Sequence, residues 1–211
     1  MSETAFSSDI AFTPAVKTIQ SRKGSRGGYH KMEERGGWQT TVTPDLAAFI
    51  AARDSVFMAT ASADGQPYIQ HRGGPPGFLR VLDEHTLGFA DFRGNRQYVT
   101  LGNLSENPKA YLFLIDHARR QRIKIWGTAR VVEDDPALVE KLRVPGYSGV
   151  PEQAILFDVA AWDANCPQHI PQLLPAEKVA AALDERDQRI EALEAEIAQL
   201  RAGSLQATQN S

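Results

Sequence analysis

Cysteine is almost absent from this chain. The single thiol, Cys166, has no partner for an internal disulfide, which fits a reducing compartment. Long apolar runs are missing too: nothing approaches the roughly 18 residues that span a bilayer. Met1, Ser2, Glu3 and Thr4 open the sequence without a basic stretch followed by an apolar one, so no secretory signal is read there. No surplus of charge exists either. Lys and Arg number 23 against 26 Asp and Glu, a formal net charge of −3 over 211 residues. That balance gives no global pull toward nucleic acid or an anionic membrane. There is no P-loop and no Ser-nucleophile motif. One cysteine and five scattered histidines make a poor zinc set. What is present is an ordinary soluble composition, 42% hydrophobic and 23% charged, long enough for one well-cored domain with appended segments. The expected location is the cytoplasm, with no nucleic-acid or membrane partner.

Residues 1–43 show little core pattern. Lys17, Arg22, Lys23, Arg26, Lys31 and Arg35 alternate there with Gly24, Gly27 and Gly28. The segment reads as a basic arm. It is either solvated and partly mobile or draped over a neighbouring subunit, with Phe12, Ile19, Tyr29 and Trp38 as anchors. A domain over 44–165 follows. Thr43, Pro44 and Asp45 signal a helix start, and Leu46, Phe49 and Ile50 give it one apolar face. Strand patterns follow at 55–62, 68–72, 78–82, 86–91, 110–116, 123–132 and 154–162. Asp64-Gly65 marks a hairpin turn between the first two. Segment 93–103 reads as a loop turning into a short helix, and 135–143 as another helix. Antiparallel strands at this spacing predict a small barrel of about six strands, mainly β with flanking helices.

A connector over 166–176 leads to a helix over 177–202. Val179, Leu183, Ile190, Leu193, Ile197 and Leu200 fall on a and d positions of one heptad frame, broken by Arg186 at d. In a parallel pair, Arg189 (g) would meet Glu194 (e), and Glu196 (g) would meet Arg201 (e). A lone amphipathic helix remains the other reading. The polar residues 203–211 are expected to be disordered.

Chemistry concentrates between 67 and 127. Arg93-Gly94-Asn95-Arg96-Gln97 offers arginines beside a predicted helix start, with Asn95 as cap and Arg96 in the first turn. Arginine suits bidentate phosphate contacts, and a helix start adds free backbone N–H groups. Upstream lies Gln70-His71-Arg72-Gly73, and downstream Gln121-Arg122-Ile123-Lys124-Ile125-Trp126-Gly127. Residues two apart on a strand share a face, so Gln70 and Arg72 point one way and His71 the other.

In order and spacing these segments resemble the flavin-binding segments of the pyridoxamine 5'-phosphate oxidase-related FMN-binding split barrels, over roughly 54–164. The resemblance implies FMN as cofactor and a homodimer with two flavin sites at its interface. It further implies an oxidoreductase passing hydride or electrons between a donor and a small molecule. Cofactor contacts are expected from Gln70, His71, Arg72, Gly73, Asp91, Arg93, Gly94, Asn95, Arg96, Gln97, Gln121, Arg122 and Gln168. Two departures stand out. Gln97 replaces the family's phosphate-gripping Lys, and Gln121 replaces an Arg. These changes, and the lack of a match to that enzyme's C-terminal substrate-phosphate Arg and His residues, argue against pyridoxamine phosphate oxidase itself. Asn165-Cys166-Pro167-Gln168-His169-Ile170-Pro171 also recurs in some related flavoproteins. It reads either as a Pro-bounded turn or as a segment bringing Gln168, His169 or a redox-active Cys166 to the flavin. The alternatives to an FMN oxidoreductase are a non-catalytic flavin carrier or assembly module, and a deazaflavin-dependent reductase on the same barrel.

Overall fold

The structure, a computed structural model, describes residues 6–165 and 167–209. Cys166 lies outside the described residues, and with it the reading of its thiol. Two compact units are present. One holds the residues up to 116 together with 120–169; the other holds 117–119 and the chain from 170 onward. No helix among the described residues is long and apolar enough to cross a membrane.

The first unit is built on seven antiparallel strands: β1 (Ser55–Ala61), β2 (Pro67–Gly73), β3 (Arg80–Val81), β4 (Thr86–Phe92), β5 (Lys109–Asp116), β6 (Gln121–Val132) and β7 (Pro151–Asn165). Their order is β2-β1-β5-β6-β7-β4-β3. The split-barrel class is as expected, with seven strands rather than six. The pattern read over 78–82 shortens to β3, a two-residue strand held only by β4. Strict alternation buries Val56 and Met58 of β1 with Leu112 and Leu114 of β5 and Ile123 and Ile125 of β6, while Phe89 and Phe157 fill the centre.

Helices α1 (Pro14–Lys23) and α2 (Arg26–Glu34) precede α3 (Pro44–Ala51). α3 forms as its signals predict: Thr43 Oγ1 accepts from Leu46 N at 3.3 Å, and Leu46 and Ile50 are fully buried. α4 (Val99–Glu106) is tied to β1 by Asn103 Nδ2 donating to Thr60 Oγ1 at 3.0 Å. α5 (Pro136–Leu142) is capped by Asp135, whose Oδ1 accepts from Leu138 N.

The N-terminal segment departs from its reading as an arm with little core pattern. It is a helical hairpin packed on its own chain. Polar groups do the burying: Ser8, Gln20 and Glu33 are all below 9% exposed. Glu33 is bound by Arg26, and Ser8 Oγ donates to it at 3.1 Å. Phe12 packs edge-on against Tyr29 and Trp38, and Trp38 stacks on Trp126 of β6 at 4.5 Å. Ile19, expected as an anchor, is exposed. Hydropathy carries no signal for a hairpin whose interior contacts are ionic, which is why the segment looked unstructured.

β6 and β7 shift register between Trp126 and Gly127, leaving Ala160 of β7 without a β6 partner. The strands cross so closely there that a Cβ on Gly127 would lie 2.0 Å from the Asp158 carbonyl oxygen. A clash with backbone cannot be relieved by a rotamer change.

The second unit is dominated by α6 (Ala176–Gln209), which begins after Pro175. The helix therefore runs past 202, through residues expected to be disordered. In the same unit Gln172 Nε2 donates to Ala118 O at 2.9 Å.

Two stability outcomes follow. Gly127→Ala should cost about 3 kcal/mol, the upper end for overpacking, read from urea unfolding; an unchanged midpoint would refute the close crossing. Burial raises the Glu33 pKa, but hydrogen bonds from Arg26 and Ser8 outweigh it, leaving the carboxyl below its ordinary 4.5. A depressed carboxylate contributes stability above its unfolded pKa and loses it as pH falls through the folded value. The melting-temperature gap between the native protein and Glu33→Gln should thus be wide near neutrality and narrow as pH falls below 4.5. A gap that does not change with pH would contradict this.

Candidate functional site

Strand β2 alternates as predicted. Tyr68, Gln70 and Arg72 are half-buried, while Ile69 and His71 are exposed on the other face. Tyr68 Oη donates to Gln70 Oε1. Arg72 reaches across to β4, where its Nη1 meets Asp91 Oδ1 at 2.5 Å. The second Asp91 oxygen accepts from Gln153 Nε2 at 2.8 Å, from the facing position of β7. Asp91 is thus buried yet fully engaged. Arg72 Nε is buried with no hydrogen-bond partner among the described residues, an unmet donor at the base of a cleft. The His71 ring turns instead to Ser55 Oγ, at 2.7 Å, and to Phe57.

The loop after β4 differs in detail from its reading. α4 starts at Val99, not at Arg96, and its N-cap residue Tyr98 gives no side-chain cap. Arg96 (φ 59°) and Tyr98 (φ 54°) both adopt the left-handed conformation. Bulky residues do so at a cost, and such strain clusters at ligand clamps. Asn95 closes a local turn, its Oδ1 accepting from Gln97 N, rather than capping the helix. Among the described residues, the start of α4 therefore has no side-chain cap from its N-cap residue.

Between Asp91 and Phe92 the β4–β7 register shifts, and Glu152 is the extra residue on β7. Bulges of this kind re-aim a side chain. Here Glu152 Oε1 accepts from Arg93 Nε at 2.9 Å and lies 3.9 Å from Arg96 Nε. Arg96 Nε also donates to Tyr98 Oη at 2.8 Å. That bond first, and the Glu152 carboxylate after it, raise the Arg96 pKa, so the group is always cationic.

These elements enclose a cleft of about 300 Å³. Of the residues expected at a site, β2 supplies Gln70, His71, Arg72 and Gly73, β4 supplies Asp91, and the loop supplies Gly94, Asn95, Arg96 and Gln97. Arg93 adjoins it through Glu152. Gln121 and Arg122 open β6, paired with Asp116 and Ile115, and are not among the lining residues. Gln168 lies in an exposed turn after β7 and does not line it either. Sequence reasoning missed Glu152, Gln153, Tyr68 and Tyr98. Tyr68 shares the period-two face of Gln70 and Arg72 and was findable. Glu152 was not, because a register shift between distant strands leaves no local signal. Among the described residues no group of His, Cys, Asp or Glu is placed to hold a metal.

Removing Asp91 would strand a buried guanidinium. Asp91→Ala should cost about 3–5 kcal/mol in urea unfolding, and Arg72→Met added to it should recover part of that. No loss in the single variant would show the pair to be unimportant for stability.

HupZ of Group A Streptococcus is 21% identical, matching 63% of this chain and 98% of its own, with a TM-score of 0.49. An FMN-binding protein from Syntrophomonas wolfei is 13% identical, matching 74% and 99%, with a TM-score of 0.45. No curated protein matches the chain. The pyridoxamine 5'-phosphate oxidase family model, in contrast, matches residues 42–166, which span α3 and all seven strands. Because that match takes in more than half of the sequence and the complete sheet, this protein belongs to the pyridoxamine 5'-phosphate oxidase family.

Proposed function

We propose that this protein is a cytoplasmic FMN-binding flavoprotein, a homodimer that passes hydride or electrons between a reduced donor and a small acceptor. The observation that carries this reading is the convergence, in one cleft, of groups suited to opposite ends of FMN. At one end, Arg96 precedes the start of α4, with Arg93 adjoining through Glu152, where cations and helix-start N–H groups suit a phosphate. At the other, Gln70 and the unmet Nε of Arg72 offer hydrogen bonds to a polar ring edge. Phe78 and Phe89 add apolar surface between. The volume lies at the lower end for ligand sites.

When bound, the flavin supplies the redox chemistry. The protein's own part is to bind and orient. Asp91 fixes Arg72, and the left-handed backbone at Arg96 and Tyr98 shapes the phosphate loop. Gln97, where the family has a Lys, leaves the phosphate to Arg93 and Arg96. The outer face of β1, β2 and β5 leaves Phe57, Ile69, Tyr111 and Phe113 partly exposed, which suits burial against a second copy. Gln121, Arg122 and Gln168 lie outside the chain's own cleft, as fits residues that complete the partner's site.

Arg96→Ala should weaken FMN by about 1.5–3 kcal/mol, the scale of a charge-assisted hydrogen bond, and leave riboflavin nearly unchanged in fluorescence-quenching titrations. Equal losses for both would sink the phosphate assignment. Mass measurement of the cofactor released on denaturation separates FMN from a deazaflavin. Bleaching of the flavin band by NAD(P)H separates an enzyme from a carrier.

A further inference from the structure

The stripe on α6 has no role in the cleft. The helix runs unbroken for 34 residues, about 50 Å at 1.5 Å per residue. Val179, Leu183, Ile190, Leu193, Ile197 and Leu200 lie along it, between 39% and 67% exposed. A helix of this length in water draws its stability from burying such a face. We propose that the face is covered by α6 of a second copy, in a parallel, in-register two-stranded coil. This goes beyond the flavin reading and does not rest on it.

Charge selects the register. In register, Arg189 at g meets Glu194 of the other helix at e, and Glu196 meets Arg201. Arg186, at a core d position, already contacts Asp187 of its own helix at 3.2 Å. In a parallel pair the neighbouring e residue of the other helix is a second Asp187, so the arginine gains a carboxylate from each side. A slip of one heptad sets Arg189 against Arg201 and Glu194 against Glu196. In register each pair forms on both sides of the coil, four attractions in all; the slip leaves two repulsions and one attraction, Arg189 with Asp187. Apolar coverage selects the direction. An antiparallel pair can match the same charges only in the alignment that sets Ile190 against Leu200. That alignment sets Leu183 and Val179 beyond Leu200 of the other helix, where the heptad frame offers no further large aliphatic. The parallel pair sets each of the six stripe residues against its own copy.

The test is disulfide trapping in the full chain, with Cys166→Ser removing the other thiol. Val179→Cys and Leu200→Cys, both at d, should each give a crosslinked dimer under mild oxidation. The yield should be roughly tenfold above that of Ala195→Cys at the outward f position, since Cα atoms more than about 7 Å apart cannot be bridged. The substituted side chains are exposed, and circular dichroism confirms each variant folds. Crosslinking only in a mixture of Ile190→Cys with Leu200→Cys would mean an antiparallel pair and overturn the proposal. Yields at Val179 and Leu200 no better than at Ala195, or none anywhere, would overturn it as well. Flavin content plays no part in the readout, so this result and the FMN assignment stand or fall separately.

Discussion

Strand β7 is the constraint on which the rest of the first unit depends. It is 15 residues long and hydrogen-bonded on both edges, to β6 on one side and β4 on the other. Any residue inserted into or lost from it must be absorbed by two ladders at once. Both irregularities in those ladders are used. At Ala160 the strand bends away from β6, and Gly127 lets the two backbones cross within contact distance. At Glu152 it bends away from β4 and delivers a carboxylate to the arginine loop. Strand geometry and site chemistry are thus set by the same fifteen residues.

The cleft's arginines divide by burial. The Arg72 side chain is 17% exposed and locked to a still more buried Asp91, at 8%. Such a pair gains little net stability over its desolvation cost but is costly to break by losing one partner, so it behaves as part of the scaffold. Arg93 and Arg96 are 59% and 61% exposed, and both lie near Glu152. Exposed pairs contribute at most about 1 kcal/mol. Those side chains can leave Glu152 for a more highly charged anion at little cost. A rigid cation at the floor and movable cations at the rim suit a ligand whose two ends differ in charge.

Legibility in the sequence followed the reach of each signal. Local patterns worked. Thr43-Pro44 started a helix, Asp64-Gly65 turned a hairpin, and the alternation through Gln70, His71 and Arg72 placed each on its observed face. The arginine loop was visible because Arg, Gly and Asn cluster there, but its conformation was not. Two residues with positive φ push the helix start from Arg96 to Val99, and neither is a glycine. The N-terminal hairpin was illegible because Ser8, Gln20, Arg26 and Glu33 form its interior, and polar residues read as surface. Glu152 was hidden for a different reason: its direction depends on a register set between strands about 60 residues apart in sequence.

The stack of Trp38 on Trp126 has an optical consequence. The two indoles lie 4.5 Å apart and within 15° of parallel, close enough for their transition dipoles to couple. Lys124 places a positive charge 5.4 Å from one ring and 5.2 Å from the other. With only three tryptophans in the chain, two of them form one pair that joins the sheet to the segment after the hairpin, where Trp38 also packs on Phe12. Near-ultraviolet circular dichroism therefore reports whether the hairpin is seated, without any label added.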